Sequence, residues 1–170
     1  GPGNVLVIAP GVLSGTSAPT SGRISIGGKS PLTGGIKEAN AGGNPGQDLM
    51  KLGVRAIVVK GQPQDPNKRY GLEITAEQVK VVPADAHKGQ WNYALCESLG
   101  EHYATASFIS IGPAGEMRLS GASIACTDGD SRHPARHAAR GGLGAVMGSK
   151  GLKFVSVDAG KRPVRRPADM

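Results

Sequence analysis

Aromatic side chains are scarce in this chain, with one Trp, three Tyr and two Phe in 170 residues. So few rings argue against a platform that stacks nucleic-acid bases. Cysteine is scarcer still. Cys96 and Cys126 stand thirty residues apart with no CxxC between them, so they cannot alone supply a zinc or iron–sulfur site. Two buried free thiols are the expectation. No apolar run reaches the ~18 residues of a membrane span, and no secretory signal is visible. The expected location is therefore the cytoplasm, with no membrane partner. A nucleophile elbow of the GxSxG type is also missing, so no hydrolytic signature is present.

Glycine, by contrast, is abundant. The 27 glycines are about twice the usual share of roughly 7%. They punctuate regular apolar runs, which suggests tight turns and close backbone approach rather than low complexity. The formal charge is +7. The tail Lys161-Arg162-Pro163-Val164-Arg165-Arg166-Pro167-Ala168-Asp169-Met170 holds four basic residues and one acid. The rest carries only a mild excess, consistent with an anionic ligand. A basic tail interrupted by proline reads as a solvated end or linker over residues 159–170, in preference to a nucleic-acid arm. The opening Gly1-Pro2-Gly3, without Met, suggests a processed or truncated chain.

The densest chemistry lies in Arg136-His137-Ala138-Ala139-Arg140-Gly141-Gly142-Leu143-Gly144-Ala145-Val146-Met147-Gly148-Ser149-Lys150-Gly151. Glycines and helix-entry amides can approach an anion, and arginine offers a planar fork that suits phosphate. The stretch reads either as an anion cradle for a phosphorylated cofactor or as a glycine-rich turn entering a close-packed helix. Elsewhere, Gly27-Gly28-Lys29-Ser30 resembles the end of a P-loop. The glycine required five residues before the lysine is replaced by Ile24, however, and Pro31 to Gly35 cannot form the required helix. His133 and His137 are four apart near Asp128 and Asp130, but Pro134 between them argues against a helical metal site.

The elements follow from periodicity and breakers. Strands are expected over Asn4–Ala9, Arg23–Ile26, Val54–Lys60, Ser107–Ile111 and Lys153–Val157; Arg23, at its strand's entrance, reads as a surface arginine in preference to one projecting into a cleft. Leu72–Ile74 and Val79–Val82 suit a hairpin, and Leu119–Cys126 a buried strand or helix. Helices are expected over Pro45–Leu52, Trp91–Tyr103 and Gly142–Lys150. Gly11–Ser21, Gly27–Gly35, Asn40–Gly43, Gln62–Arg69, Gly112–Glu116 and Asp128–Asp130 read as loops or turns. Strands outnumber helices at irregular spacing, which favours an α+β fold.

Four motifs then act together. Gly22-Arg23-Ile24-Ser25 with Lys29-Ser30-Pro31-Leu32-Thr33-Gly34-Gly35, Asn40-Ala41-Gly42-Gly43, Ile111-Gly112-Pro113-Ala114-Gly115-Glu116 and Arg140-Gly141-Gly142-Leu143-Gly144-Ala145-Val146-Met147-Gly148-Ser149-Lys150 occur in this order. This set resembles the N-terminal domain of the aldehyde ferredoxin oxidoreductase family, from about Asn4 to Val157. The resemblance implies a β-rich, saddle-like domain over residues 1–158, truncated at its start, that seats two pterins. Their dithiolenes would hold tungsten or molybdenum, and Mg²⁺ would bridge their phosphates. By position, Arg23, Asn40, Ala41 and Gly42 match the first pterin-contacting segment. Arg136 and Ala139 match the second, with Arg140 and Gly141 beside them. The backbone carbonyls of Asn40 and His137 would be the magnesium ligands. Ala139 departs from the family's usual glycine, and Gly11-Val12-Leu13-Ser14-Gly15-Thr16 varies a loop in which Gly-Pro-Leu-Thr-Gly-Thr is commoner.

What the resemblance implies for the whole enzyme is oxidation of an aldehyde to a carboxylic acid, with ferredoxin as electron acceptor. A [4Fe–4S] cluster and the substrate pocket would come from domains absent here, so this chain alone would be inactive. It would be a domain fragment or one piece of a split enzyme, with an exposed apolar face that favours a homodimer in isolation. The alternative is a non-enzymatic binding module for a phosphorylated small molecule or RNA.

Overall fold

The computed structural model describes residues 2–164 and 166. Positions 165 and 167–170 of the basic tail lie outside the described residues. Four antiparallel strands form the first sheet: β1 (Leu6–Pro10), β2 (Ile24–Lys29), β3 (Ile36–Ala41) and β4 (Ile57–Val59), in the order β3-β2-β1-β4. Strand alternation sends Leu6, Ile8, Ile24, Ile26, Ala39 and Ala41 to the core face, where each is buried. Burying a Leu or Ile side chain in this way stabilises the fold by about 1.5–3 kcal/mol. The register pairs Ser25 with Asn40 and Gly27 with Glu38 on the opposite, open face.

The second sheet has six strands in the order β6-β5-β10-β7-β8-β9. They are β5 (Tyr70–Ile74), β6 (Val79–Pro83), β7 (Ser107–Ser110), β8 (Ile124–Cys126), β9 (Arg136–Ala138) and β10 (Leu152–Val157). Only β10 and β5 run parallel; the other neighbours are antiparallel. All six residues of β10 are buried. Helices α1 (Pro45–Lys51), α2 (Asn92–His102), α3 (Pro113–Glu116) and α4 (Leu143–Ser149) complete the α+β architecture. Helix α4 lies between the sheets, where Leu143, Val146 and Met147 join the core shared by both. Helix α2 covers the far side, packing Leu95, Cys96 and Leu99 with Phe108 and Phe154. No helix among the described residues is long and apolar enough to cross a membrane.

Most expected elements are present, including the β5–β6 hairpin, and the departures have physical causes. The strand expected over Val54–Lys60 shrinks to β4. Helix α1 closes with Gly53 at φ +78°, the Gly53 amide donating to the Met50 carbonyl and the Val54 amide to that of Leu49. That Schellman closure uses the Val54 amide before a strand can take it. β3 was not expected because its inward residues are alanines, which give little hydrophobic contrast. The Gly112–Glu116 loop contains the single turn of α3, and the Leu119–Cys126 element contracts to β8. β9 precedes the expected α4.

A buried charge cluster has no counterpart in the sequence expectations. Lys153 and Glu116 form a close ion pair whose side chains are 0% and 6% exposed, and Arg69 Nε lies 3.9 Å from the same carboxylate. The Gly89 amide donates to both carboxylate oxygens, and Lys153 Nζ donates to the Gln90 carbonyl at 2.9 Å. Burial pushes the Lys153 ammonium below its usual range, while the Glu116 hydrogen bond opposes the shift. Glu116→Gln strands two buried cations, and urea denaturation should show a loss of about 3 kcal/mol. A loss below about 1 kcal/mol would contradict this burial.

Cys96 and Cys126 are both free and buried. Burial raises the Cys126 thiol to about 12 and that of Cys96 to about 11, leaving almost no thiolate at neutral pH. Neither should react with a disulfide reagent in the folded protein, and both should react after denaturation in guanidinium. Rapid labelling of the native chain would refute that assignment.

Candidate functional site

Strands β3 and β9 are the terminal strands of their respective sheets, and they run against each other without joining in one ladder. A cleft of about 360 Å³ opens at this seam. Arg23, Glu38, Ala39 and Asn40 form one wall; His137, Ala139 and Arg140 form the other. An edge strand leaves part of its backbone N–H and C=O complement unpaired, so each wall carries main-chain polar groups as well as side chains.

The first wall is held from behind. The Arg23 carbonyl accepts hydrogen bonds from the Gly11 amide at 3.0 Å and from Ser14 Oγ at 3.1 Å. The Arg23 guanidinium donates through Nε to Asn40 Oδ1, and Asn40 Nδ2 donates to Ser25 Oγ at 3.2 Å. Arg23 and Asn40 are therefore coupled across the open face, although both are exposed. The second wall follows from β9. Ala138 turns into the core, while His137 and Ala139 remain exposed. Ser123 Oγ lies 3.2 Å from His137 Nδ1.

After Ala139 the chain makes a tight 3₁₀ turn through Arg140-Gly141-Gly142, with φ +78° at Gly141 and +68° at Gly142. Both values lie in the left-handed region that side chains with a Cβ avoid. A Cβ on Gly141 would strike the Lys37 side chain, and one on Gly142 the Ser120 carbonyl. Ser30 Oγ donates to the Gly141 carbonyl at 2.7 Å and accepts from the amides of Leu32 and Thr33. This buried latch ties the β2–β3 turn to the turn that presents Arg140.

Five residues expected at the site, Arg23, Asn40, His137, Ala139 and Arg140, thus converge on one cleft from two distant segments. The other expected residues lie around it. Ala41 points into the core at 3% exposure. Gly42 is half-buried with open space where a Cβ would stand. Gly141 is buried behind Lys37, and Arg136 is exposed on β9 but does not line the cleft. Glu38 was missed. Once β3 is recognised, its spacing of two from Asn40 puts both on the same face.

The two readings of the glycine-rich stretch divide at Gly141. Arg140 belongs to the cleft, while the glycines beyond it serve close packing. The Gly144 amide donates to the Ala122 carbonyl at 2.9 Å. Cβ atoms on Gly144 and Gly148 would strike the carbonyls of Ser123 and Gly115. Helix entry at α4 therefore packs on protein backbone. Asp128, near the two histidines, instead receives the Ser131 amide and hydroxyl. The Ser131 hydroxyl is the main influence holding its carboxyl below the usual range. Among the described residues, no group of three His, Cys, Asp or Glu could hold a metal.

The sequence model for the aldehyde ferredoxin oxidoreductase N-terminal domain matches residues 1–159. The chain is 42% identical over 166 residues to the tungsten-containing aldehyde ferredoxin oxidoreductase of Thermococcus kodakarensis, covering 95% of this chain and 26% of that protein. It is likewise 42% identical over 164 residues to the enzyme of the same name from Pyrococcus furiosus, covering 94% and 25%. The chain thus spans about a quarter of the length of these curated relatives. Among solved structures, the active site complex BamBC of benzoyl coenzyme A reductase, in complex with 1,5-dienoyl-CoA, superposes with a TM-score of 0.84. That match has 31% identity and covers 94% of this chain and 23% of the other.

The two glycines bordering the cleft should respond differently to alanine. Gly141→Ala is expected to cost about 1–2 kcal/mol from the left-handed backbone alone, with the Lys37 clash adding to it. Gly42→Ala meets open space and should stay within about 0.5 kcal/mol of the parent. Equal shifts in the urea midpoint would show that the Gly141 turn is not constrained in this way.

Proposed function

The chain belongs to the aldehyde ferredoxin oxidoreductase N-terminal domain family, and from that premise we propose that it seats the bis-pterin cofactor of a tungsten or molybdenum oxidoreductase. The observation that carries the reading is the cleft at the β3–β9 seam. It gathers two guanidiniums, the Glu38 carboxylate, an amide side chain and two edge-strand backbones around a space open to a ligand, so two cations outnumber one anion there. The donor set fits the group. Arg23 and Arg140 suit phosphate oxygens through forked, charge-assisted hydrogen bonds, and Asn40 holds the Arg23 guanidinium in place. Main-chain carbonyls at Asn40 and His137 are hard oxygen donors of the kind Mg²⁺ takes.

In this role the chain's own residues bind and orient. Arg23 and Arg140 hold phosphate groups from opposite walls. The Gly42 and Ala139 positions leave the walls low enough for a ring system to approach the backbone. Ala41 anchors its segment in the core, and the Gly141 turn presents Arg140; exposed Arg136 adds positive charge next to the cleft. The bound cofactor would supply two-electron redox chemistry at its metal. Residues 1–158 form the cofactor-binding unit, and 159–170 lead towards further domains.

The whole enzyme would oxidise aldehydes to carboxylic acids. Its remaining domains would supply a [4Fe–4S] cluster and substrate pocket, with ferredoxin as electron acceptor. Similarity to a benzoyl coenzyme A reductase complex supports a low-potential reduction as a second reaction class on the same scaffold. Two free thiols suit the reducing cytoplasm in which we place it.

The test is metal and pterin analysis of the intact protein purified anaerobically from its native source. Tungsten or molybdenum should accompany pterin in a bis-pterin ratio. Arg140→Gln should lower pterin retention about tenfold, the effect of losing one charge-assisted hydrogen bond. Intact native protein free of both metal and pterin would overturn the proposal and leave a module for phosphorylated small molecules or RNA.

A further inference from the structure

The phosphate-seating role leaves the imidazole of His137 without an assigned task, since only its main-chain carbonyl enters that reading. His137 is exposed and is one of the residues that line the same cleft as Arg23, Asn40 and Arg140. It is also tethered. The β8–β9 register pairs Ile124 with Ala138, so Ser123 and His137 flank that pair diagonally on the opposite face. Ser123 Oγ is 3.2 Å from His137 Nδ1.

Among the described residues the Ser123 hydroxyl has no second hydrogen-bond partner. A neutral imidazole carries one N–H donor and one bare acceptor nitrogen. If the hydroxyl uses its single proton on Nδ1, the ring proton must reside on Nε2. The second nitrogen, free of Ser123, is then a donor on a residue that shares the cleft lining with Arg23 and Arg140. Hydrogen bonds made by one ring nitrogen select the tautomer and fix the role of the other.

We propose that Ser123 is a positioning residue which holds His137 as the Nε2–H tautomer, and that His137 donates this N–H to a phosphate oxygen of the ligand seated between Arg23 and Arg140. The inference rests on the phosphate-seating reading and deepens it, by adding a third donor to the two arginines. It concerns the side chain alone. Ring orientation, rather than a change of charge, is what Ser123 controls.

The test uses the full chain labelled with ¹⁵N at its four histidines and inorganic pyrophosphate as the probe. Calorimetry gives affinity, and long-range ¹H–¹⁵N correlation identifies the His137 tautomer. The parent should show Nε2–H and bind pyrophosphate. His137→Ala should weaken binding about fivefold, the size of one modest hydrogen bond. Ser123→Ala should weaken it about threefold and mix the tautomers, while Ser123→Thr should restore both readouts. Circular dichroism checks that each variant remains folded.

If Arg140→Gln loses pyrophosphate while His137→Ala binds like the parent, the cleft holds phosphate and the His137 inference is refuted. An Nδ1–H tautomer in the parent, or a Ser123→Ala variant unchanged in both readouts, refutes the positioning role. If the parent itself binds no pyrophosphate, the phosphate-seating reading falls and takes this inference with it.

Discussion

The fold depends on one close backbone contact, that of α4 with the segment running from α3 to β8. Gly144 and Gly148 are four apart and share one helical face. That face lies directly on the main chain at Ser123 and Gly115, while Leu143, Val146 and Met147 fill the core between the sheets. A side chain at either glycine would lift the helix away from its neighbours. Because α4 begins where the Arg140 turn ends, its seating also sets the height of that turn against β3. Core packing and cleft geometry are thus one constraint seen from two sides.

Sheet edges are usually protected, because their free amides and carbonyls invite unwanted pairing. Here two edges guard each other across a gap that neither closes into a ladder, and the gap itself is the candidate site. Its walls are stiffened from within. Ser14 and Gly11 pin the Arg23 main chain, Asn40 orients its guanidinium, and Ser30 latches the opposite turn. A ligand entering such a seam meets donors whose conformational freedom is already reduced, which lowers the ordering cost of binding.

Strands with branched residues in strict alternation, such as Ile24 and Ile26, were legible in sequence because side chain and burial agree. β3 hid its core face behind Ala39 and Ala41, so Glu38 went unnoticed beside Asn40. β9, only three residues long, was not read as a strand at all; the motif resemblance singled out its residues without their conformation. The Glu116–Lys153 pair could not be read at all. Neither residue shows a local pattern that distinguishes a buried charge from a surface one, and 37 residues separate them. Ser30 was similarly hidden, noticed for a phosphate loop it does not form while its latch to Gly141 spans 111 positions.

That long latch bears on how the protein is made. The first sheet is complete in sequence by Val59, yet α4, which covers much of its inner face, begins only at Leu143. Roughly eighty residues must be synthesised in between, on the order of ten seconds at ribosomal rates. Leu6, Ile8, Ile24 and Ile26 emerge early and wait for their cover. Until α4 is made, that face lacks the cover of Leu143, Val146 and Met147, and the nascent chain presents a half-built sheet to the cell.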